Sequence, residues 1–289
     1  MKVNKTEKTA LIIQGGALRS IFTAGVLDSF LINNYNPFDI YIGVSSGAMC
    51  LAYYLGEQYK VVQRIITKLS KDSNFMSVSQ VFSEQGYMNL EYLEKYSQKN
   101  YPLDIDSVIK KTNKKKCYIV ATNLDNGEAA YLQPNKKNFL ACLRATATLP
   151  FVTKGNCDVD GMKLMDGGWS DPIPAKAAAD FGATKLIAIR TVPVNYKIDW
   201  SFSGWIASYW HGKNKKLSAR FANEHLYYNK GVDYLNENPN NIEIHQIAPD
   251  QELQTSGYSV SSEALLKDYQ LGLEKGLDFL NKIRNKNSK

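Results

Sequence analysis

Histidine is the scarcest chemical resource of this chain, with three among 289 residues, His211, His225 and His245. None stands at ligand spacing with another histidine or with a cysteine. The sequence therefore implies no metal centre, and no cofactor motif accompanies it. Cysteine is also sparse: Cys50, Cys117, Cys142 and Cys157 show no metal-type pairing, and most lie among apolar or small residues. They read as free thiols, which excludes a disulfide scaffold. Long apolar runs are missing as well. No stretch approaches the roughly 20 residues that a membrane-crossing helix needs. Met1 to Thr9 is polar and charged and is followed by only a few apolar residues, which is not a signal-peptide pattern. The expectation is a cytoplasmic protein that meets membranes, where it does, peripherally. Internal repeats and low-complexity linkers are absent.

What is present suits a folded globular chain. Hydrophobic residues make up 44% and charged residues 22%, so a sizeable core needs no staple. The net charge of +7 suits an anionic surface or substrate. No recognition motif accompanies the lysine clusters, which argues against nucleic acid as a partner. Strand and helix signals alternate through the first two hundred residues. That alternation implies an α/β fold, a mostly parallel central sheet flanked by helices on both faces, with a helical C-terminal elaboration. Residues 8–195 would form the core and 196–289 the elaboration, packed on the same domain. Lys216 to Asn236 and Ser261 to Asn285 read as two helices around a strand, Ile242 to Ile247. The final helix would bury Leu265, Leu266, Tyr269, Leu273, Leu277 and Leu280.

Three glycine-bearing turns carry the chemistry. Gly43-Val44-Ser45-Ser46-Gly47 spells G-x-S-x-G after the β-prone run Phe38 to Ile42 and before the small apolar residues Ala48 to Ala52. Strand, tight turn and helix make the context of a nucleophile elbow. A serine there stands at a helix N-terminus, where partial positive charge favours a developing anion. Gln14-Gly15-Gly16-Ala17-Leu18-Arg19 follows the strand Ala10 to Ile13 and precedes a helical pattern burying Ile21, Phe22, Val26, Leu27, Phe30 and Leu31. Such a turn exposes backbone N–H groups, as either a phosphate loop or an oxyanion hole. The Walker and dinucleotide spacings both fail here. Asp166-Gly167-Gly168, after Met162 to Met165, is an ordinary turn signal when taken alone.

Together, in this order and separation, the three pieces resemble the patatin-like phospholipase family, in its bacterial branch. Arg144-Ala145-Thr146-Ala147-Thr148-Leu149-Pro150-Phe151 and Ser170-Asp171-Pro172-Ile173-Pro174 extend the likeness, which is strong over residues 8–195. It continues weakly through Asn223-Glu224-His225 and Tyr228-Asn229. The resemblance implies a Ser-Asp dyad, with Ser45 as nucleophile and Asp166 as general base. It implies an oxyanion hole from the N–H groups of Gly15, Gly16 and Ala17, and a substrate-binding or loop-supporting role for Arg19. The implied substrate is a phospholipid or another lipid ester, cleaved without a cofactor. Two positions depart from the family: Ala17 replaces its third glycine, and Ser20 replaces the glycine after the basic residue. Alanine keeps its N–H but loses easy access to positive φ.

Alternatives stay open at this level. All three histidines follow Asp166, so chain order permits a Ser-Asp-His esterase. A non-catalytic module binding acyl lipid or a protein is a second alternative. Trp200, Phe202, Trp205, Ile206, Tyr209 and Trp210 crowd into eleven residues just before Lys213, Lys215 and Lys216. Residues 200–216 are therefore a candidate lid or a contact with an anionic membrane. Aromatics at helical spacing serve equally as core.

Overall fold

The computed structural model describes residues 7–77, 86–149, 152–153, 156–255 and 261–287. Pro150 and Phe151, at the end of the Arg144–Phe151 stretch, lie outside the described residues, as do residues 78–85 and the side chain of Trp210. Two strand–helix units open the chain: β1 (Thr9–Ile13), α1 (Ser20–Ile32), β2 (Ile40–Val44) and α2 (Ser46–Leu55). Helices α3 (Val61–Leu69), α4 (Leu90–Asn100) and α5 (Ile105–Thr112) precede β3 (Lys116–Asn123) and β4 (Ala129–Leu132). Next come α6 (Phe139–Ala147), β5 (Cys157–Val159), β6 (Met162–Asp166), α7 (Ala175–Asp180) and β7 (Lys185–Ile189). The C-terminal part holds α8 (Phe202–Trp210), α9 (Lys215–Ala222), α10 (Glu224–Glu237), β8 (Glu243–Ile247) and α11 (Ser262–Asn287).

Five strands run parallel in the order β3-β2-β1-β7-β8. Both faces of this sheet are covered, and the strand period of two divides its side chains between them. Leu11 and Ile13 of β1 face a core with Phe22 and Phe30 of α1 and Leu51 of α2. Ala10 and Ile12 face the other, with Ala175 and Ala178 of α7 and Tyr228 and Val232 of α10. The expected α/β architecture, with helices on both faces, is the one observed.

One detail of register positions the site. β3 pairs with β2 through Lys116–Val120, with β4 through Ile119–Thr122 and with β6 through Ala121–Asn123. Since β4 takes one edge of β3, β6 must continue along the edge that β2 vacates. Val120 is paired with Val44 and Ala121 with Asp166. Asp166 thus arrives one step beyond the point where the chain leaves β2 as Ser45.

Three local expectations need correction. Burial of α1 is nearly all round rather than one-sided, because α11 crosses its outer surface. A Cβ on Gly25 would lie 2.2 Å from the Tyr269 carbonyl oxygen, and one on Gly272 2.1 Å from that of Phe22. That crossing sets the buried face of α11 along Leu265, Tyr269, Gly272, Gly276 and Leu280, leaving Leu266 and Leu277 exposed. The helix expected over Lys216–Asn236 is two, broken at Asn223. Helices α4 and α5, hidden in polar sequence, start at side-chain caps: Asn89 Oδ1 accepts from Tyr92 N–H, and Asp104 Oδ1 from Ser107 N–H.

Candidate active site

Ser45 occupies a strained conformation, φ 53° and ψ −134°, at the N-cap of α2. A non-glycine residue held there costs about 1 to 3 kcal/mol and needs surroundings that enforce it. Its N–H donates to Thr146 Oγ1 at 2.8 Å, and Thr146 in turn donates to the Val120 carbonyl at 2.5 Å. Glycines flank it because the backbone is crowded, not because their own φ is positive. A Cβ on Gly43 would lie 2.6 Å from Ala48 Cα, and one on Gly47 2.6 Å from the Gln14 carbonyl oxygen.

The structure brings Ser45 and Asp166 together across 121 positions of sequence. Ser45 Oγ donates to Asp166 Oδ2 at 2.5 Å, while Asp166 Oδ1 accepts from Gly168 N–H at 2.7 Å. Asp166 is buried, and burial pushes its pKa up from the ordinary 3.8 to about 7, against the pull of those two hydrogen bonds. No histidine hydrogen-bonds to either residue among those described. His245 pairs with Glu243 on the edge strand β8, and His211 packs on Phe221.

The glycine loop abuts the serine. A Cβ on Gly15 would sit 2.7 Å from Ser45 Cβ. Thr191 Oγ1 donates to the Gly15 carbonyl at 2.9 Å and fixes the loop from behind. Gly16 N–H donates to Ser46 Oγ at 3.1 Å, and the Ser46 and Ser20 hydroxyls share a hydrogen bond of 2.6 Å. The family-departing Ser20 therefore joins a chain of hydroxyls that ties loop to elbow. Ala17 stands at φ 50°, the left-handed conformation that a glycine would adopt freely. The half-buried Arg19 side chain makes no ion pair among the described residues, and its Nε lacks a partner.

Ser45 lines an apolar cavity of about 150 Å³. Met49, Ile65, Leu69, Phe75, Leu93 and Leu143 are among the residues lining it, and the Arg144–Glu94 ion pair, 2.5 Å long, stands at its edge. Much of the wall comes from α3 and α4. Glu224, in a stretch whose family likeness is weak, lies near enough to Asp166 to feel its charge. Burial raises its pKa to about 7, with Ser203 opposing and the Asp166 charge adding to the rise. Thr146 and Ser46 lie inside the Arg144–Phe151 and G-x-S-x-G stretches, but no spacing signals their hydrogen-bond partners.

A sheet of this topology, with a serine on the turn after β2 bonded to a carboxylate ending β6, defines a nucleophile-elbow α/β protein. The profile of the patatin-like phospholipases matches residues 11–179. The chain belongs to the patatin-like phospholipase family, a family of lipid acyl hydrolases. A domain of unknown function (DUF6363) matches residues 214–286, from α9 to α11. The uncharacterized protein YjjU of Escherichia coli (strain K12) is 30% identical over 278 residues, covering 94% of this chain and 77% of its own. The crystal structure of VipD from Legionella pneumophila is similar over 96% of this chain and 67% of its own, at a TM-score of 0.49 and 12% identity.

Proposed function

We propose that the protein is a serine acyl hydrolase that cleaves lipid esters through a Ser45–Asp166 dyad. One observation carries the reading: the Ser45 hydroxyl, already donating to a buried carboxylate, lines an apolar cavity. The cavity takes the acyl chain and leaves the ester carbonyl at Ser45. Asp166 removes the hydroxyl proton as Oγ attacks, and the carbonyl oxygen becomes an oxyanion. N–H groups of Gly15, Gly16 and Ala17 stabilise it, Gly16 once Ser46 releases it. Asp166 then returns the proton to the leaving alcohol. A water deprotonated by the same carboxylate releases the fatty acid and frees Ser45. Arg19 is assigned to the phosphate or other polar head of the ester. The substrate is a phospholipid or another lipid ester. Among the described residues no helix is long and apolar enough to cross a membrane, so peripheral contact with an anionic bilayer completes the reading.

A lipid-ester panel run on wild type and Ser45→Ala tests this. Wild type should release fatty acid and be labelled by a fluorophosphonate, and Ser45→Ala should do neither. The rate should rise with pH through about 7, as Asp166 ionises, and persist in EDTA. The hold of Ser46 on Gly16 N–H favours one rival, a binding module without turnover. An unlabelled wild-type serine with lipid still bound would favour that rival.

The Ser20–Ser46–Gly16 chain should position the loop. Ser46→Ala frees Gly16 N–H but removes about 1 kcal/mol of restraint on the loop; the lost restraint should dominate and slow hydrolysis of a soluble ester about fivefold. Ser20→Ala/Ser46→Ala should cost little more, because both changes break one chain. Additive losses in kcat would separate the two hydroxyls.

A further inference from the structure

Helix α8 is amphipathic in the inverse sense. Its inward positions are the small Gly204 and Ala207, and Phe202, Trp205 and Tyr209 point away from the protein. Phe202, Trp205 and Tyr209 are 61%, 55% and 83% exposed, and Trp200, just before the helix, is 60% exposed. Every exposed tryptophan or phenylalanine among the described residues falls between positions 200 and 205. Trp200, Phe202 and Trp205 form one continuous ring surface, with centroids 6.0 and 6.2 Å apart.

This orientation is built in. A Cβ on Gly204 would lie 2.4 Å from the Phe221 carbonyl oxygen, so α8 presses on α9 too closely to turn an aromatic inward. Ser218 Oγ donates to the Ser208 carbonyl and ties α9 to α8, and Asn214 Nδ2 donates to the Leu124 carbonyl and fastens the α8–α9 turn to the end of β3. The Ser201 hydroxyl at the N-cap of α8 donates to Glu224. Ala207 packs in one cluster with Met165 and Trp169, which bracket Asp166 in the chain. The aromatic face is thus carried by the same structure that holds the general base.

We propose that the outer face of α8, with Trp200 and the turn after it, docks on an anionic phospholipid bilayer. Charge selects that occupant. Residues 197–216 hold four lysines and a single acid, Asp199. Lys197 is paired with Asp233, while the exposed Lys213, Lys215 and Lys216 make no ion pair among the described residues. A second copy of this chain on a two-fold axis would bring like charges together, whereas anionic headgroups neutralise them. Trp and Tyr rings beside lysine are the side chains that the headgroup layer accommodates. The inference rests on the lipid-ester reading for its purpose, though not for its test.

Sedimentation of Ser45→Ala protein with vesicles provides that test, since no lipid is consumed. Binding should be strong to equimolar phosphatidylcholine–phosphatidylglycerol and weak to phosphatidylcholine alone. Trp205→Ser/Tyr209→Ser should weaken it about tenfold or more, because two buried rings return to water. Each of Lys213→Gln, Lys215→Gln and Lys216→Gln should weaken it about fivefold. In the Ser45 background the aromatic variants should hydrolyse a soluble short-chain ester at the wild-type rate. Aromatic or lysine variants that are folded and sediment like the parent would overturn the proposal. So would equal binding to both vesicles, or a dimer in solution that Trp205→Ser dissociates. A wild type inactive on the soluble ester would instead sink the hydrolase reading and leave the vesicle result standing.

Discussion

Asp166→Asn should abolish ester hydrolysis and yet fold more stably than wild type at alkaline pH. Loss of the proposed general base should lower kcat roughly a hundred- to ten-thousand-fold. The stability gain follows from burial. In the unfolded chain the carboxyl ionises near 3.8, whereas in the folded protein it holds its proton to about 7. Its contribution is complete below the unfolded value and is lost as pH rises through the folded one. At about pH 8 the wild type carries a buried carboxylate whose ionisation costs on the order of 2 to 4 kcal/mol. Asparagine escapes that cost, keeps an oxygen for Gly168 N–H and offers its amide N–H to Ser45 Oγ. Melts of the two proteins should converge near about pH 4, draw apart as pH rises from there, and reach their full separation above about 7. Glu224, also raised to about 7, should leave part of the alkaline decline in the variant. A folded Asp166→Asn protein with wild-type turnover would falsify the dyad. A stability difference independent of pH would remove burial as its cause.

The two residues of the proposed dyad differ in how far they could be read in advance. Ser45 is local: an apolar strand, two glycines and a small-residue helix lie within fifteen positions, and each reports on its neighbours. Asp166 is not local. Its place depends on β6 taking up the edge of β3 just where β2 ends, a pairing across the sheet that no spacing encodes. Only the resemblance joined the two residues. The cavity was hidden for a different reason. Its wall includes α4, whose Tyr, Glu, Lys and Gln residues obscure the pair Leu90 and Leu93 that it contributes. For α8, aromatics at helical spacing fitted core and surface equally. The decisive signal was the smaller one, Gly204 and Ala207 three apart, which marks the side that must approach another backbone.

Gly15→Ala should disable the site, while Ala17→Gly should leave it working, although both exchange glycine and alanine in one loop. At Gly15 the added methyl would stand 2.7 Å from Ser45 Cβ and 3.0 Å from the Val44 carbonyl oxygen. Neither can yield, because Ser45 is held by Thr146 and Asp166 and Val44 by the ladder to β3. The loop must retreat, and its N–H groups retreat from Ser45 Oγ. Loss of one aligned donor typically costs about a hundred- to a thousand-fold in kcat, with KM changed far less. At position 17 the backbone already adopts φ 50°, so glycine relieves about 1 to 2 kcal/mol of steric strain. Greater freedom of glycine in the unfolded chain offsets about 0.4 to 1 kcal/mol of that. Ala17→Gly should therefore match wild type within about twofold in rate and melt at or slightly above its temperature. Steady-state kinetics on a soluble ester, with the melts, read both outcomes. A fast Gly15→Ala enzyme would remove the loop from the oxyanion hole. A slow Ala17→Gly enzyme would mean that strain at Ala17 aims the donors, making this family departure part of the mechanism.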